Sequence, residues 1–406
     1  MRTKNGDSKL MLLTYLLCMA LFVNLAILKD PIDKGAIYMG LMICILITVA
    51  KVLMKKFYPN GDRFLFIFSC ILAVIGIAVL YRLDTSVAVK QLIWVTAGII
   101  IYMVIILSIP DIREFGKYKW IFMGATLVLM PLALAFGSKV NGSTNWILIG
   151  GTGFQPSEFG KIALVLYLAT ALQNYEDKNN VIEDFKQLWE PALVVMFSIG
   201  CMVLQKDLGS ALIFFGIAVT MLYVGTGKKK YVIISLVLFL AGAFIAYKLF
   251  GHVRERVQIW RDPWSDTTGQ GYQIVEGMYA ISSGGLFGSG LGKGYPGFVP
   301  VNTSDFIFSV ICEELGIIIG LGVMIIYFLM FYRGMRSAFI IKDRFSQLNT
   351  VGFSAMIACQ VLVIIGGVFA VIPLTGITLP LISYGGSSVI TMFFSLAILQ
   401  KISEED

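Results

Sequence analysis

FLFIFSCILAVIGIAVLY, residues 64–81, runs for eighteen positions without a charged side chain. As a helix, a stretch of roughly that length crosses the hydrocarbon layer of a bilayer. Eleven further segments read the same way: 10–28, 35–54, 90–108, 119–137, 159–174, 191–204, 208–226, 231–250, 306–332, 350–372 and 383–400. Between 191–204 and 208–226 stand only Gln205, Lys206 and Asp207, so one long kinked excursion is an alternative there. The composition agrees: 57% of the 406 residues are hydrophobic and 14% charged, against about 25% charged in soluble proteins. Mean hydropathy is +0.82. Such a chain cannot cover itself with polar surface, so lipid is its solvent. The expected fold is an all-α polytopic membrane protein with about twelve transmembrane helices. Secreted enzymes, cytosolic enzymes and nucleic-acid partners are excluded. The first segment is too long for a cleaved signal peptide, and no small-x-small cleavage site follows it.

The net charge of +7 is read as topology. With the N-terminus in the cytoplasm, inside segments hold 20 of the 32 Lys and Arg residues and the short outside loops hold seven, the asymmetry that sets orientation. Both termini are then cytoplasmic. Every loop with unusual polar content (138–158, 205–208, 251–305 and 373–388) falls on the extracytoplasmic face. Six scattered cysteines with no CxxC suggest neither a zinc site nor a disulfide framework. His252 is the only histidine, which excludes multi-histidine metal sites and leaves His252 as the sole base available to a serine or cysteine nucleophile.

The long loop 251–305 carries most of the chemistry. Tyr272, Ile274, Val275, Met278, Tyr279 and Ile281 have helical spacing, and read as an amphipathic helix at the interface. Asp262 and Asp266 flank Pro263 and Trp264, with Arg254, Arg256 and Arg261 just before them. A carboxylate beside arginines fits a general base next to an anion site; helix capping and interfacial anchoring are the plainer alternative. The string Gly292-Lys293-Gly294-Tyr295-Pro296-Gly297 matches GxGxxG, but Pro296 stands where a helix would start, so no dinucleotide site is expected. In 138–158, which contains Trp146, the run Pro156-Ser157-Glu158 reads as a helix start with Lys161 one turn along. That is either a cap with a snorkelling lysine or the polar lining of a substrate groove. Lys206 and Asp207 sit at a break with no room for a real loop, where charges need partners and mark a functional site. Pro373 and Pro380 forbid a continuous helix before Gly385-Gly386-Ser387-Ser388, so 373–388 is either a re-entrant element lining a cleft or a tight turn.

Five strings in order resemble the SEDS family, which includes RodA, FtsW and SpoVE. They are GFQPSEFGKIALVLYLA (153–169), QKDLGSALIFF (205–215), RDPWSDTTGQGYQ (261–273), TSDFIFSVICEELG (303–316) and PLTGITLPLISYGGSS (373–388). The resemblance covers roughly 64–400 and implies a ten-span core over 64–406, to which residues 1–63 add two N-terminal helices.

The resemblance implies a peptidoglycan glycosyltransferase of the bacterial cytoplasmic membrane, serving division, elongation or sporulation. It would polymerise lipid II, an undecaprenyl-diphosphate-linked disaccharide peptide, beside a class B penicillin-binding protein. The essential aspartate of the family matches Asp266. Lys206, Arg254, Arg256, Arg261 and Lys293 are then candidates to hold the diphosphate, and Trp146, Glu158, Lys161, Asp207 and Ser387 candidates to line the substrate site. No protein metal-ligand cluster is apparent, although a divalent cation (Mg or Mn) bridging the diphosphate is compatible with the chemistry. The chain departs from the family pattern at Thr267, Asn145 and Pro300-Val301-Asn302-Thr303. Two other classes fit a many-span chain: a flippase for the lipid-linked precursor and a non-catalytic scaffold for the penicillin-binding protein.

Overall fold

The computed structural model describes residues 4–58, 61–109, 111–140, 142–150, 152–178, 180–269 and 271–403. Long apolar runs make the helices α1 (Lys4–Ile27), α2 (Lys34–Phe57), α3 (Arg63–Leu83), α4 (Thr85–Ser108) and α5 (Lys119–Phe136), the last with Pro131 inside it. A three-stranded antiparallel meander follows, β1 (Ser138–Val140), β2 (Ser143–Ile149) and β3 (Thr152–Phe154), with Ser138 opposite Trp146 and Ile147 opposite Phe154. Next come α6 (Pro156–Leu172), α7 (Val181–Leu204), α8 (Leu208–Thr226) and α9 (Lys229–Leu249). The long loop folds into α10 (Gly251–Arg261), a 3-10 turn over Pro263–Asp266 and α11 (Tyr272–Gly284), of which only α11 is predicted by helical spacing. The chain ends with α12 (Ile307–Leu315), α13 (Ile317–Ile340), α14 (Arg344–Val368) and α15 (Gly386–Ile402).

Among the described residues, ten helices are long and apolar enough to cross a membrane: α1 to α5, α7 to α9, α13 and α14. The difference from the expected twelve lies in α6 and α15, which have 17 residues each. Helix α6 starts at Pro156 directly after β3 and the extended Gln155, and α15 starts behind Gly385 of the non-helical segment. The segment 306–332 is corrected to two helices, broken at Gly316 with φ 88°. The chain is mostly helical, as expected, and the three-stranded meander is a small addition to it. The break at 205–207 separates α7 from α8, and the two helices pack on each other.

Helix α3 is buried along nearly its whole length, and α14 and α15 are close behind. None of the residues of α9 is buried. The N-terminal hairpin packs against the core at both ends. At one end Asp33, which caps α2 through the N–H groups of Gly35 and Ala36, also accepts from the Tyr81 hydroxyl at 3.1 Å and pairs with Lys29 at 2.9 Å. At the other end the Tyr58 hydroxyl donates to the Gln400 and Lys401 carbonyls at 3.0 and 2.8 Å, satisfying acceptors that the end of α15 leaves open.

Candidate functional site

Four polar segments far apart in sequence meet at one end of the bundle. The break between α7 and α8 shows why a helix can stop there. The N–H groups of Gln205, Lys206 and Asp207 donate back to Cys201, Val203 and Met202. The Gln205 carbonyl receives the Thr144 N–H at 3.1 Å and the Ser143 hydroxyl at 3.0 Å from β2. With its backbone satisfied, the break is tolerated at membrane depth. Lys206 takes a left-handed φ of 63° and remains exposed, while Asp207 turns inward.

Asp207 is 3% exposed. Its carboxylate caps α8 by accepting the Ser210 N–H at 3.0 Å and the Ser210 hydroxyl at 2.8 Å. It also accepts the Asn145 amide from β2 at 3.0 Å and the Gln155 amide at 3.3 Å. Trp146, next to Asn145, covers Gly153 of β3, where a Cβ would lie 2.8 Å from the indole. The backbone N–H of Gln155 donates to Ser387 Oγ at 3.2 Å, which ties this cluster to the start of α15.

Below it lies a second cluster. Lys161 is 1% exposed and donates to Glu158 Oε1 and Gln360 Oε1, both at 2.8 Å. Glu158 also accepts the Thr391 hydroxyl at 3.1 Å. Gln360 donates in turn to the Thr378 carbonyl at 3.0 Å, and the Thr378 hydroxyl reaches Ser388 at 3.0 Å. Lysine stems snorkel where water is within reach; Lys161 is enclosed instead, so the snorkelling alternative is corrected. Glu158 lies in the first turn of α6, as the sequence suggests, but its partners are Lys161 and Thr391.

The segment 373–385 forms no helix, and Thr375, Ile377 and Leu379 to Ser383 are buried, which excludes a simple tight turn. It is clamped on several sides. Gln91 donates to the Ser383 carbonyl at 2.9 Å, Ser383 Oγ donates to the Ser304 carbonyl at 2.6 Å, and Tyr327 donates to the Pro380 carbonyl. Gly209 of α8 lets this segment approach: a Cβ there would lie 2.4 Å from Ile377 Cγ2 and 2.9 Å from Thr375 Cβ.

Between α7, α8 and α9 lies an apolar cavity of about 790 Å³, closed at the loop-rich end by Val253, Arg256 and Val257 of α10 and by Pro373, Leu374 and Thr375. Arg256 donates to the Leu374 carbonyl at 3.0 Å, and the charges of Asp207 and Asp305 bear on its guanidinium. Burial pushes the Asp305 carboxyl up to about 6, opposed by the Ser304 hydrogen bond and by Arg256. His252, one turn before Arg256, is pulled below its ordinary value by burial, then by the charges of Lys206 and Arg256.

The sequence candidates therefore separate into groups. Asp207, Glu158, Lys161 and Ser387 belong to one buried network, with Trp146 on the strand beside it, and Arg256 stands at its edge. Asp266 ends the 3-10 turn that Asp262 caps, and is exposed. Arg261 and Lys293 are exposed too. Arg254 is turned away, donating to the Lys248 carbonyl at 3.0 Å with its guanidinium 6.0 Å from the Tyr247 ring. Among the described residues no group of three or more metal-ligand side chains occurs. Gln155, Ser210, Gln360, Thr375, Thr391 and Asp305 were not among the sequence candidates. A lone glutamine inside the apolar run of α14 was the available signal for Gln360.

Comparison with known proteins follows the same lines. The family profile described as "Cell cycle protein" (FtsW, RodA, SpoVE) matches residues 63–406. The peptidoglycan glycosyltransferase RodA of Mycobacterium tuberculosis is 34% identical over 96% of this chain and 89% of its own. Stage V sporulation protein E of Bacillus subtilis is 34% identical over 86% of this chain and 98% of its own. A solved structure described as "Structural coordination of polymerization and crosslinking by a peptidoglycan synthase complex" superposes with TM-score 0.72 at 27% identity, covering 85% of this chain and 98% of the other. The crystal structure of Thermus thermophilus RodA gives 0.64 at 26% identity, covering 86% and 98%.

Proposed function

The chain belongs to the FtsW, RodA and SpoVE family and is a peptidoglycan glycosyltransferase; on that premise we propose that it polymerises lipid II at the outer face of the cytoplasmic membrane, with Asp266 as general base. One observation carries most of the weight. An apolar cavity of about 790 Å³ between three helices ends at a cation, Arg256, and at the helix that leads into the Asp266 turn. That is the chemistry of a substrate with a hydrocarbon tail, a diphosphate head and sugars beyond it. The cavity takes part of the polyprenyl tail, cations at its end hold the diphosphate, and the sugars lie among the extracytoplasmic loops.

The nucleophile is a neutral sugar hydroxyl, and the leaving group is a lipid diphosphate. The Asp266 carboxylate accepts the hydroxyl proton as the new glycosidic bond forms at the anomeric carbon. The bond to the diphosphate breaks on the opposite face, so the anomeric configuration inverts. A diphosphate leaves without being protonated, so no second carboxylic acid is needed, unlike the paired acids of glycosidases. A general base contributes roughly 10²–10⁴-fold. Asp266→Asn, folded and inserted, is therefore expected to lose polymerisation of lipid II by about that factor while retaining the lipid. Polymer made at the normal rate removes Asp266 from the reaction. Lipid II supplied on the outside of proteoliposomes distinguishes this activity from translocation, because a flippase moves the lipid and forms no glycan. The likeness to a peptidoglycan synthase complex supports a class B penicillin-binding protein as the partner that crosslinks the product.

A further inference from the structure

At and near the loop-rich end of the apolar cavity the fold leaves two buried polar atoms unused, one on the cavity wall and one on α10. Thr375 is 5% exposed, lines the cavity, and its hydroxyl has no hydrogen-bond partner. His252 Nε2 is likewise buried without a partner. His252 and Arg256 are four apart on α10, hence on one face of it. The hydrogen bond from Arg256 to the Leu374 carbonyl holds its guanidinium beside Thr375. Lys206 arrives from the α7–α8 break, where its left-handed backbone sets it apart from the inward-facing Asp207. Buried polar atoms left unsatisfied are unusual in proteins; Thr375 Oγ at the cavity wall beside Arg256, and His252 Nε2 on the same helix as Arg256 and within the field of Arg256 and Lys206, suit an anion.

We propose that Lys206, His252, Arg256 and Thr375 seat the diphosphate of the lipid substrate, and that His252 takes up a proton from solvent as the anion arrives. The identity of the lipid rests on the glycosyltransferase reading above; the anion seat does not. Thr375 donates its hydroxyl hydrogen to a phosphate oxygen. Arg256 and Lys206 supply fixed charge, partly offset by Asp207 and Asp305, which act on Arg256. The charged groups acting on His252 are Lys206 from the break and Arg256 and Glu255 from α10. Burial, then the charges of Lys206 and Arg256, hold the imidazole below its ordinary value of 6.5, so it is neutral at pH 7. A dianionic head beside it reverses the sign of the local field and raises that value. Binding then takes up a proton at pH values between the free and bound values, so affinity grows as pH falls through that window and levels off below the free value.

The test uses the full chain in nanodiscs, with farnesyl diphosphate as probe and farnesol as the uncharged control. Affinity for farnesyl diphosphate should rise as pH is lowered from 8 to 5.5, and His252→Gln should remove the part due to one proton, up to about tenfold per pH unit. The diphosphate's own titration is common to both proteins and drops out of the comparison. His252→Lys should keep tight binding with a flatter profile, and Thr375→Val should weaken binding at every pH. A His252→Gln profile parallel to wild type, or farnesol bound as tightly as farnesyl diphosphate, overturns the proposal. A chain that shows this linkage but makes no polymer would sink the enzyme reading and leave the anion seat standing.

Discussion

Lys161 is enclosed within the bundle, with two acceptors at 2.8 Å and almost no solvent. Breaking a buried pair by removing one partner is far worse than replacing both, because the remaining charge is left uncompensated. Lys161→Met is therefore expected to destabilise the protein by about 3–5 kcal/mol, read as a drop in unfolding temperature in detergent. Lys161→Met combined with Glu158→Gln should recover part of that loss. Glu158, Lys161 and Asp207 were legible in the sequence because a charge in an apolar run stands out against lipid. Their partners were not. Gln360 and Thr391 are ordinary neutral side chains in helices, and the contact from Lys161 to Gln360 spans 199 positions, so no local pattern announces it.

Among the elements, the helices were read well wherever hydropathy alone decides, and poorly where geometry does. Helix α7 starts at Val181 rather than near 191 because its first turns are amphipathic, with Ile182, Phe185 and Trp189 exposed and Asp184 and Leu188 buried. The meander escaped notice although Gly142 and Gly150, with φ of 81° and 57°, sit where its two turns require positive φ; a seven-residue strand with short partners is a weak signal beside twenty-residue spans. The N-terminal hairpin acquires a structural role that its sequence does not announce. Gly292 of the long loop donates its N–H to Glu314 at 3.0 Å and accepts from Arg82 at 3.2 Å, and Leu28, between α1 and α2, packs against it. A Cβ on Gly292 would lie 2.5 Å from Leu28 Cδ1 at φ +83°. Gly292→Ala should therefore loosen the loop, with a backbone term alone of about 1–2 kcal/mol. Leu28→Ala in the same chain should relieve the steric part but not the backbone part. Protease sensitivity of the loop in the two variants measures both.

For the whole molecule, the clusters around Asp207, Lys161 and Arg256 lie toward the loop-rich end, while basic residues such as Lys228 and Arg344 lie at the other. The orientation proposed from the charge asymmetry makes a direct prediction. The six native thiols are unpaired, and Cys18, Cys70, Cys201 and Cys312 are buried. After replacement of Cys44 and Cys359, a cysteine introduced at exposed Lys293 should react with a membrane-impermeant maleimide added to intact cells. One introduced at Lys229 should react only after permeabilisation; the reverse pattern would place the site in the cytoplasm.

The spacing of Glu158 and Lys161 also bears on how such a chain is made. Helix α6 is synthesised long before α14 and α15 exist, so neither Gln360 nor Thr391 is present when it first leaves the ribosome. Because the acid and the base stand three residues apart on one helix, they can neutralise each other in the nascent segment. The charge pair thus enters the bilayer as its own counterion, and the later helices need only add neutral acceptors to a problem already solved.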